Sequence, residues 1–342
     1  MEHTTFSIDV AKSVFEIAVS RQPGRIAKSH RIPRARLLTF FASRSASTIV
    51  MEACGTAHHW ARELQHQGHR VVLLPPHAVR PYVTRNKTDR ADAAGILEAF
   101  RNKNIHPVPV KTVAQQALAA LHRLRSRWLA TRTARINTVR GALREFGLVI
   151  PLGSRRVLPA VQAALEDADS GLPDALRPAL AEACQEIRQL EARIRSVEHQ
   201  LQALADETPI VASLRSVPGV GLLTATALVA LVGNVERFRS ARHFASYLGL
   251  TPRESSSGLI RRLGAISKRG DGYLRMLLIH GARSVICHAK KTDSHDRLRT
   301  WVLDREHRRG HNKAAVALAN KLARILWAVW RNGTPFRSVA AA

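Results

Sequence analysis

Thr5-Phe6-Ser7-Ile8-Asp9-Val10-Ala11-Lys12-Ser13-Val14-Phe15-Glu16-Ile17-Ala18-Val19-Ser20 is the stretch that decides the fold. Apolar residues recur at every second position, first Phe6, Ile8 and Val10, then Phe15, Ile17 and Val19, which is the period of strands with two distinct faces. A turn at Gln22-Pro23-Gly24 and a further extended run from Arg25 to Ile32 predict three antiparallel strands at the start of the chain. The period then lengthens. Pro33 to Arg44 suits a helix, Ser47 to Met51 a buried strand, Thr56 to His66 a helix opened by a threonine cap, and Arg70 to Leu74 another strand.

The resulting order, β-β-β-α-β-α-β followed by helices, is that of a ribonuclease-H-like α/β domain, which sets its first strand beside its fourth with a later helix passing over both. Two acids close these strands, Asp9 and Glu52. Thr88-Asp89-Arg90-Ala91-Asp92 opens a helix expected to reach about Arg101, capped by Thr88. Residues three apart share a helix face, so Asp89 and Asp92 project together. Taken singly, each acid suits a surface or capping role, and Asp89 and Asp92 suit a helix N-terminus. Taken jointly, in this strand order, they point to a metal site, because two-metal phosphoryl transfer needs several hard oxygen ligands that place the ions about 4 Å apart. A divalent cation is therefore the expected cofactor.

The 342 residues suffice for two or three domains, and 53 Lys and Arg against 26 Asp and Glu give a formal charge of +27. So large an excess calls for a polyanionic partner, since each cation set against a phosphate releases condensed counterions. Nucleic acid fits better than a membrane. The apolar run Leu222 to Val232 is shorter than the roughly 20 residues of a spanning helix, and Met1 to Lys12 reads as strand, with no leader expected. A cytoplasmic, nucleoid-associated location follows as an expectation. Cys54, Cys184 and Cys287 show no CxxC spacing, and the 16 His residues, including adjacent His58 and His59, show no ligand pattern.

Residues 1–107 are expected to form the catalytic domain, 108–208 a basic and coiled-coil region, and 209–342 a helical C-terminal domain. After a linker from Pro107 to Thr112, a helix from Val113 to Phe146 carries Arg123, Arg125, Arg127, Arg132, Arg135, Arg140 and Arg144. Leu180, Ala183, Ile187, Leu190, Ile194, Val197, Leu201 and Leu204 then alternate in steps of three and four, a seam for long coiled-coil helices. Such a seam pairs either with another chain or with a helix of the same chain; self-association is expected. From Pro209 the pattern is all-α. Leu214, Val217-Pro218-Gly219-Val220-Gly221, Thr224-Ala225 and Leu228 fit a helix-hairpin-helix, whose turn offers backbone N–H groups to a phosphate, although the same turn also joins two packed helices. Further helices are expected near Ala241 to Leu248, Tyr273 to Lys290, His295 to Arg308 and Ala314 to Trp330. A polar loop is expected from Thr251 to Ile266; its serines, Ser255, Ser256 and Ser257, precede Arg261, Arg262, Lys268 and Arg269. A serine there needs an activating neighbour or metal to act as a nucleophile.

These residues carry a resemblance: Ile8-Asp9-Val10-Ala11-Lys12, Met51-Glu52-Ala53, Lys87-Thr88-Asp89-Arg90-Ala91-Asp92-Ala93, Pro218-Gly219-Val220-Gly221, Tyr247-Leu248-Gly249-Leu250-Thr251-Pro252, Ser256-Ser257-Gly258, Arg262-Leu263-Gly264, Ile266-Ser267-Lys268-Arg269-Gly270-Asp271 and Lys321-Leu322-Ala323-Arg324. In that order, over nearly the whole chain, they resemble the DEDD-type transposases of the bacterial insertion sequence one-ten group, recombinases with a RuvC-like N-terminal domain. The resemblance implies that Asp9, Glu52, Asp89 and Asp92 hold magnesium. It implies that Ser257, next to a glycine, forms a phosphoserine link to DNA, with Ser256 as the neighbouring alternative. It further implies donor and target DNA, a non-coding guide RNA that pairs with both, and a homo-oligomer, dimer or tetramer, in which one chain's carboxylates meet another's serine. Lys12, Arg90, Arg123, Arg127, Arg135, Gly219, Gly221, Arg261, Arg262, Lys268 and Arg269 are the candidate nucleic-acid contacts. The competing expectations are a metal-dependent junction nuclease that uses water, and a non-catalytic architectural protein.

Overall fold

A computed structural model describes residues 4–22, 25–83, 88–292 and 296–338. The expected turn residues Pro23 and Gly24, Lys87 of the third motif, His295 and the first three residues lie outside the described residues. The chain forms two compact units, Met1–Val113 and Ala114–Ala342.

In the first unit, β1 (Thr5–Val10), β2 (Val14–Ser20) and β3 (Lys28–Pro33) form the antiparallel run that the alternation predicts. Pro33 is extended and closes β3, so the next helix starts later than expected, as a 3-10 turn at Arg34–Arg36 and α1 at Leu37–Ala42. β4 (Thr48–Glu52) then joins β1 in parallel, and α2 (Ala57–His66) leads to β5 (Arg70–Leu74), parallel to β4. The sheet order is β3-β2-β1-β4-β5, a mixed sheet that fits the ribonuclease-H-like expectation. A short α3 (Pro76–Val79) and a 3-10 turn at Arg80–Tyr82 precede α4 (Asp89–Arg101).

Strand alternation separates two apolar layers. Phe6, Ile8, Phe15, Ile17, Ile49 and Met51 pack with Phe41, Trp60 and Leu64 of α1 and α2. On the other face, Val50, Val72 and Leu74 pack with Ile96 and Ala99 of α4, and Ala18 packs with Ala93 and Leu97. Small residues let α4 approach closely: a Cβ on Gly95 would lie 2.8 Å from the Val83 side chain and 3.4 Å from the Tyr82 carbonyl.

The second unit is built on two long helices, α5 (Val113–Glu145) and α7 (Arg177–Asp206), with α6 (Val157–Glu166) between them. The seam on α7, expected to join two chains, is filled within one chain. Leu180 and Ile187 pack with Ile136, Val139 and Leu143 of α5, while Val197 and Leu201 enter a core with Leu118. Ion pairs Arg125–Glu198 at 2.7 Å, Arg132–Glu191 at 3.7 Å and Arg135–Glu186 at 2.6 Å run in opposite chain directions, which makes α5 and α7 an antiparallel hairpin. Heptad spacing calls for a covering helix without naming it, and here the covering is internal.

α8 (Pro209–Arg215), α9 (Leu222–Val232) and α10 (Ala241–Tyr247) follow. α9 is buried on almost every side, which explains its uniformly apolar sequence as a core helix. Among the described residues no helix is long and apolar enough to cross a membrane. The expected polar loop is instead a hairpin of β6 (Pro252–Glu254) and β7 (Leu263–Ile266). Its residues are nearly all exposed, so no buried face imposed an alternating pattern that the sequence could display. α11 (Gly272–Ala289), α12 (Arg297–Arg309, capped by Asp296) and α13 (His311–Asn332) complete the unit.

One polar cluster crosses this core. His122 of α5 lies 3.0 Å by Nδ1 from the Tyr273 hydroxyl and 3.0 Å by Nε2 from Thr226 Oγ1. Thr226 donates its own proton to the Leu222 carbonyl at 2.7 Å, so it accepts from Nε2–H and Tyr273 donates to Nδ1. Burial, then the charge of Arg125, pushes the His122 pKa down to about 4. The unfolded chain protonates this ring near 6.5, so it binds more protons than the folded chain between those values. Stability is expected to fall by about 3 kcal/mol as pH drops from about 6.5 to 4, and urea titrations of His122→Gln should show that slope flattened; an unchanged slope would contradict the assignment. Ile187→Ala, at a site 1% exposed, should cost about 2–5 kcal/mol while leaving the mass by light scattering unchanged. A fall in mass would return the seam to a role between chains.

Candidate functional site

Asp9 and Glu52 come together through strand register. β1 and β4 are parallel with Ile8 opposite Met51, so the next step sets Asp9 beside Glu52 at the carboxyl ends of adjacent strands. Residues two apart share a face. Asp9 therefore shares the face of Ser7, whose hydroxyl donates to the Ala93 carbonyl of α4 at 2.6 Å, and Glu52 shares the face of Val50, which packs on α4. Arg101 and Leu97, at the far end of α4, line a cavity with Thr5 and Ser20 at the opposite sheet end. α4 thus runs antiparallel to β1, and its first turn lies toward the carboxylate end.

That first turn carries Asp89 and Asp92, and its cap is the one expected: Thr88 Oγ1 accepts from the Ala91 N–H at 3.2 Å. All four predicted acids therefore approach one face at one end of the sheet. Among the described residues, however, no three His, Cys, Asp or Glu side chains converge tightly enough to hold an ion. Sequence reasoning missed Glu16, the cross-strand partner of Asp9 and hence on the same face. Like charges directly opposite across two strands repel. The donor set, carboxylate oxygens on a strand end and a helix N-terminus, suits a hard divalent cation.

The predicted nucleophile lies in the second unit. Ser257 and Ile260 exchange backbone hydrogen bonds at 3.2 and 3.1 Å around Gly258-Leu259, and Gly258 has φ +57°. A two-residue turn with positive φ at its first residue and not at its second, Leu259, is the II′ type, which glycine accommodates without strain. Ser255 N–H donates to the Arg262 carbonyl one rung below. Ser256 Oγ donates to Glu254 Oε1 at 2.8 Å and accepts from the Arg262 N–H at 3.2 Å, while Arg261 Nε donates to the same Glu254 oxygen at 3.2 Å. Strand alternation puts Ser257 on the opposite side, that of Arg253 and Ser255, which line a groove of about 430 Å³ with Arg262 and Lys268.

The base of the hairpin is rigid. Gly249 has φ +70° and a Cβ there would sit 2.8 Å from the Arg269 nitrogen; one on Gly270 would sit 2.1 Å from the Tyr247 carbonyl oxygen. Ser267 N–H bonds the Thr251 carbonyl at 2.8 Å, and Arg275 donates to the carbonyls of Leu248 and Gly270. The motifs from Tyr247 to Pro252 and from Ile266 to Asp271 thus mount the hairpin.

Two family profiles match the chain: a DEDD-type "Transposase" profile over residues 6–147, and "Transposase IS116/IS110/IS902 family" over residues 211–298. The chain is 43% identical to a "Probable family 20 transposase" of Pseudomonas aeruginosa, over 98% of this chain and 99% of that protein. It is 38% identical to the "Transposase for insertion sequence element IS1111A" of Coxiella burnetii, over 96% and 90%, and 35% identical to that for IS1328 of Yersinia enterocolitica, over 97% and 98%. The chain belongs to the IS116/IS110/IS902 transposase family.

In this transposase the candidate nucleic-acid contacts fall into distinct environments. Lys12, Arg90, Arg123 and Arg127 are exposed, as are Arg262, Lys268 and Arg269 on or beside the hairpin. Arg261 is tied to Glu254 and Arg135 to Glu186, while Arg140 donates to the carbonyls of Pro151 and Gly153. Gly221 is exposed with open space around it, but Gly219 (φ +77°) faces α11, where a Cβ would lie 2.5 Å from the Gly281 carbonyl oxygen. The Gly219 position therefore serves close helix packing. Glu254 and Glu16 are the acids that sequence reading passed over; their charges stood alone in the sequence, and only strand pairing reveals what they face.

Proposed function

We propose that this chain is a DNA transposase that breaks and rejoins strands at a divalent-metal site of Asp9, Glu52, Asp89 and Asp92, with Ser257 as the nucleophile. The observation that carries the reading is the convergence of β1, β4 and the first turn of α4 at one sheet end, each contributing acids to the same face. A bound magnesium or manganese ion would supply charge neutralisation at the scissile phosphate. Ser257 Oγ attacks phosphorus and loses its proton, the bond from phosphorus to a sugar oxygen breaks, and that oxygen is released as a hydroxyl. One phosphodiester is exchanged for another, so reversal by a different sugar hydroxyl rejoins strands with no high-energy cofactor.

The cationic groove of Arg253, Arg262 and Lys268 supports the role of Ser257, because phosphate binding positions the reacting group. A second reading assigns attack to Ser256, whose hydroxyl already donates to the Glu254 carboxylate, the arrangement of a base-activated serine. Beyond one chain, the reading includes a non-coding guide RNA on the exposed arginines, and an oligomer in which one chain's carboxylates serve another's serine.

Denaturing gels of protein, magnesium, junction DNA of the element and RNA from its flanking segment test this directly. A covalent protein–DNA adduct is expected for the wild type and absent in Ser257→Ala. Loss of groups that merely support metal ligands costs 10- to 100-fold, so Asp9→Asn should lower adduct formation by at least about a hundredfold with DNA affinity retained. Loss in Ser256→Ala with retention in Ser257→Ala would transfer the nucleophile to Ser256. Cleavage without adduct in every variant would replace the recombinase by a hydrolytic nuclease.

A further inference from the structure

The tip of the β6–β7 hairpin exposes what soluble proteins usually cover. Leu259 is 105% exposed, Ile260 60% and Leu263 52%, on a short two-stranded element whose residues are nearly all exposed. Turn positions of this type ordinarily take small polar residues, which tolerate water and the turn geometry. An apolar apex on a solvated turn calls for an occupant.

The surroundings say which one. Arg253, Arg261, Arg262, Lys268 and Arg269 stand along the strands and at the base, all exposed. The only acid among residues 252–269 is Glu254, and it is engaged by Arg261 and Ser256. An apolar point ringed by cations is complementary to nucleic acid, apolar within its base stack and anionic along its rim, rather than to an ordinary protein surface. Length agrees. A strand rises about 3.3 Å per residue, so Arg262 trails Leu259 by about 10 Å, which exceeds the roughly 7.5–8.5 Å depth of either DNA groove. With Arg262 at the phosphate rim, Leu259 reaches the groove floor. The mount is stiff as well, through the close backbone approach of Gly249 and Gly270 described above.

We propose that this tip is an unstacking wedge: Leu259, backed by Ile260, inserts between neighbouring bases of bound DNA. Apolar side chains used in this way part a base step and kink the duplex. Ser257 stands beside the wedge on the cationic side of the hairpin, so distorted backbone is presented to it. The inference rests on the DNA reading above, and it adds a positioning role for residues that take no part in the bond exchange.

The test uses the full-length chain with its flanking RNA, without magnesium, and short duplexes tiling the DNA that flanks its own gene, each carrying a single 2-aminopurine. Binding is followed by anisotropy and unstacking by 2-aminopurine fluorescence. The wild type is expected to raise fluorescence roughly twofold or more at one step. Leu259→Ser should lose that rise while its half-saturation stays within about threefold, since the phosphate contacts remain, and Leu259→Phe should retain it because an aromatic side chain also wedges. Saturated binding with no rise at any step, or a full rise with Leu259→Ser, would overturn the wedge while leaving the DNA reading in place. No binding by anisotropy would remove the DNA reading itself, and the wedge with it. If Leu259→Ser lowers the particle mass in light scattering without DNA, the tip is a contact between chains and the wedge is wrong.

Discussion

The hydrogen bond from the Ser7 hydroxyl to the Ala93 carbonyl, 2.6 Å long and buried, is the contact on which the placement of the first unit's candidate site depends. A hydroxyl enclosed between sheet and helix must find a partner, and the second lone pair of a helical carbonyl supplies one. It fixes where α4 crosses β1 and, with the helix direction, which end of the sheet receives Asp89 and Asp92. Small residues make the approach feasible: Ala18 and Ala93 meet beside it, and Gly95 faces the Val83 side chain and the Tyr82 carbonyl. The acids are thus placed by packing of apolar and small residues, not by their own attraction, which like charges do not have.

The second unit follows the same logic with glycine in place of serine. Gly219 lies against Gly281, and Gly249 against the Arg269–Gly270 backbone, each at distances no Cβ allows. One contact locks the α8–α9 turn onto α11, and the other holds the base of a hairpin that buries almost nothing of its own. A two-stranded hairpin is marginal in isolation, so its geometry is inherited from this mount. The candidate serines are thereby carried on an element whose base is held by close backbone contacts.

Legibility in the sequence follows from how local the determining physics is. The five strands, and α4 with its Thr88 cap, were readable because alternation and caps act over a few residues. The partner of the α7 seam was not, because a row of Leu, Ile and Val specifies a covering surface and leaves open whether α5 or another chain provides it. The β6–β7 hairpin was hidden for a different reason: exposed strands carry no burial pattern, and the backbone pairing from Thr251–Ser267 to Ser257–Ile260 that defines them leaves no mark on the sequence. Arg135 looked like a free cation on a basic helix, and only antiparallel pairing shows that Glu186 occupies it. That Asp9 and Glu52 share one sheet end was legible from strand order, whereas the direction of α4, which carries Asp89 and Asp92 toward that end, follows from packing that no local pattern spells out.

A chain of charge +27 that sets Asp9, Glu16 and Glu52 on neighbouring strands concentrates negative charge where its overall composition is opposed to it. In the proposed reading a divalent cation would resolve that opposition and would bind phosphate as well. The most direct measurement is Mn2+ binding to the full-length chain by electron paramagnetic resonance, for the wild type and for Asp9→Asn and Asp92→Asn. The account predicts a bound fraction in the wild type that both variants lose, since strand and helix supply one site. Equal binding by wild type and both variants would contradict it.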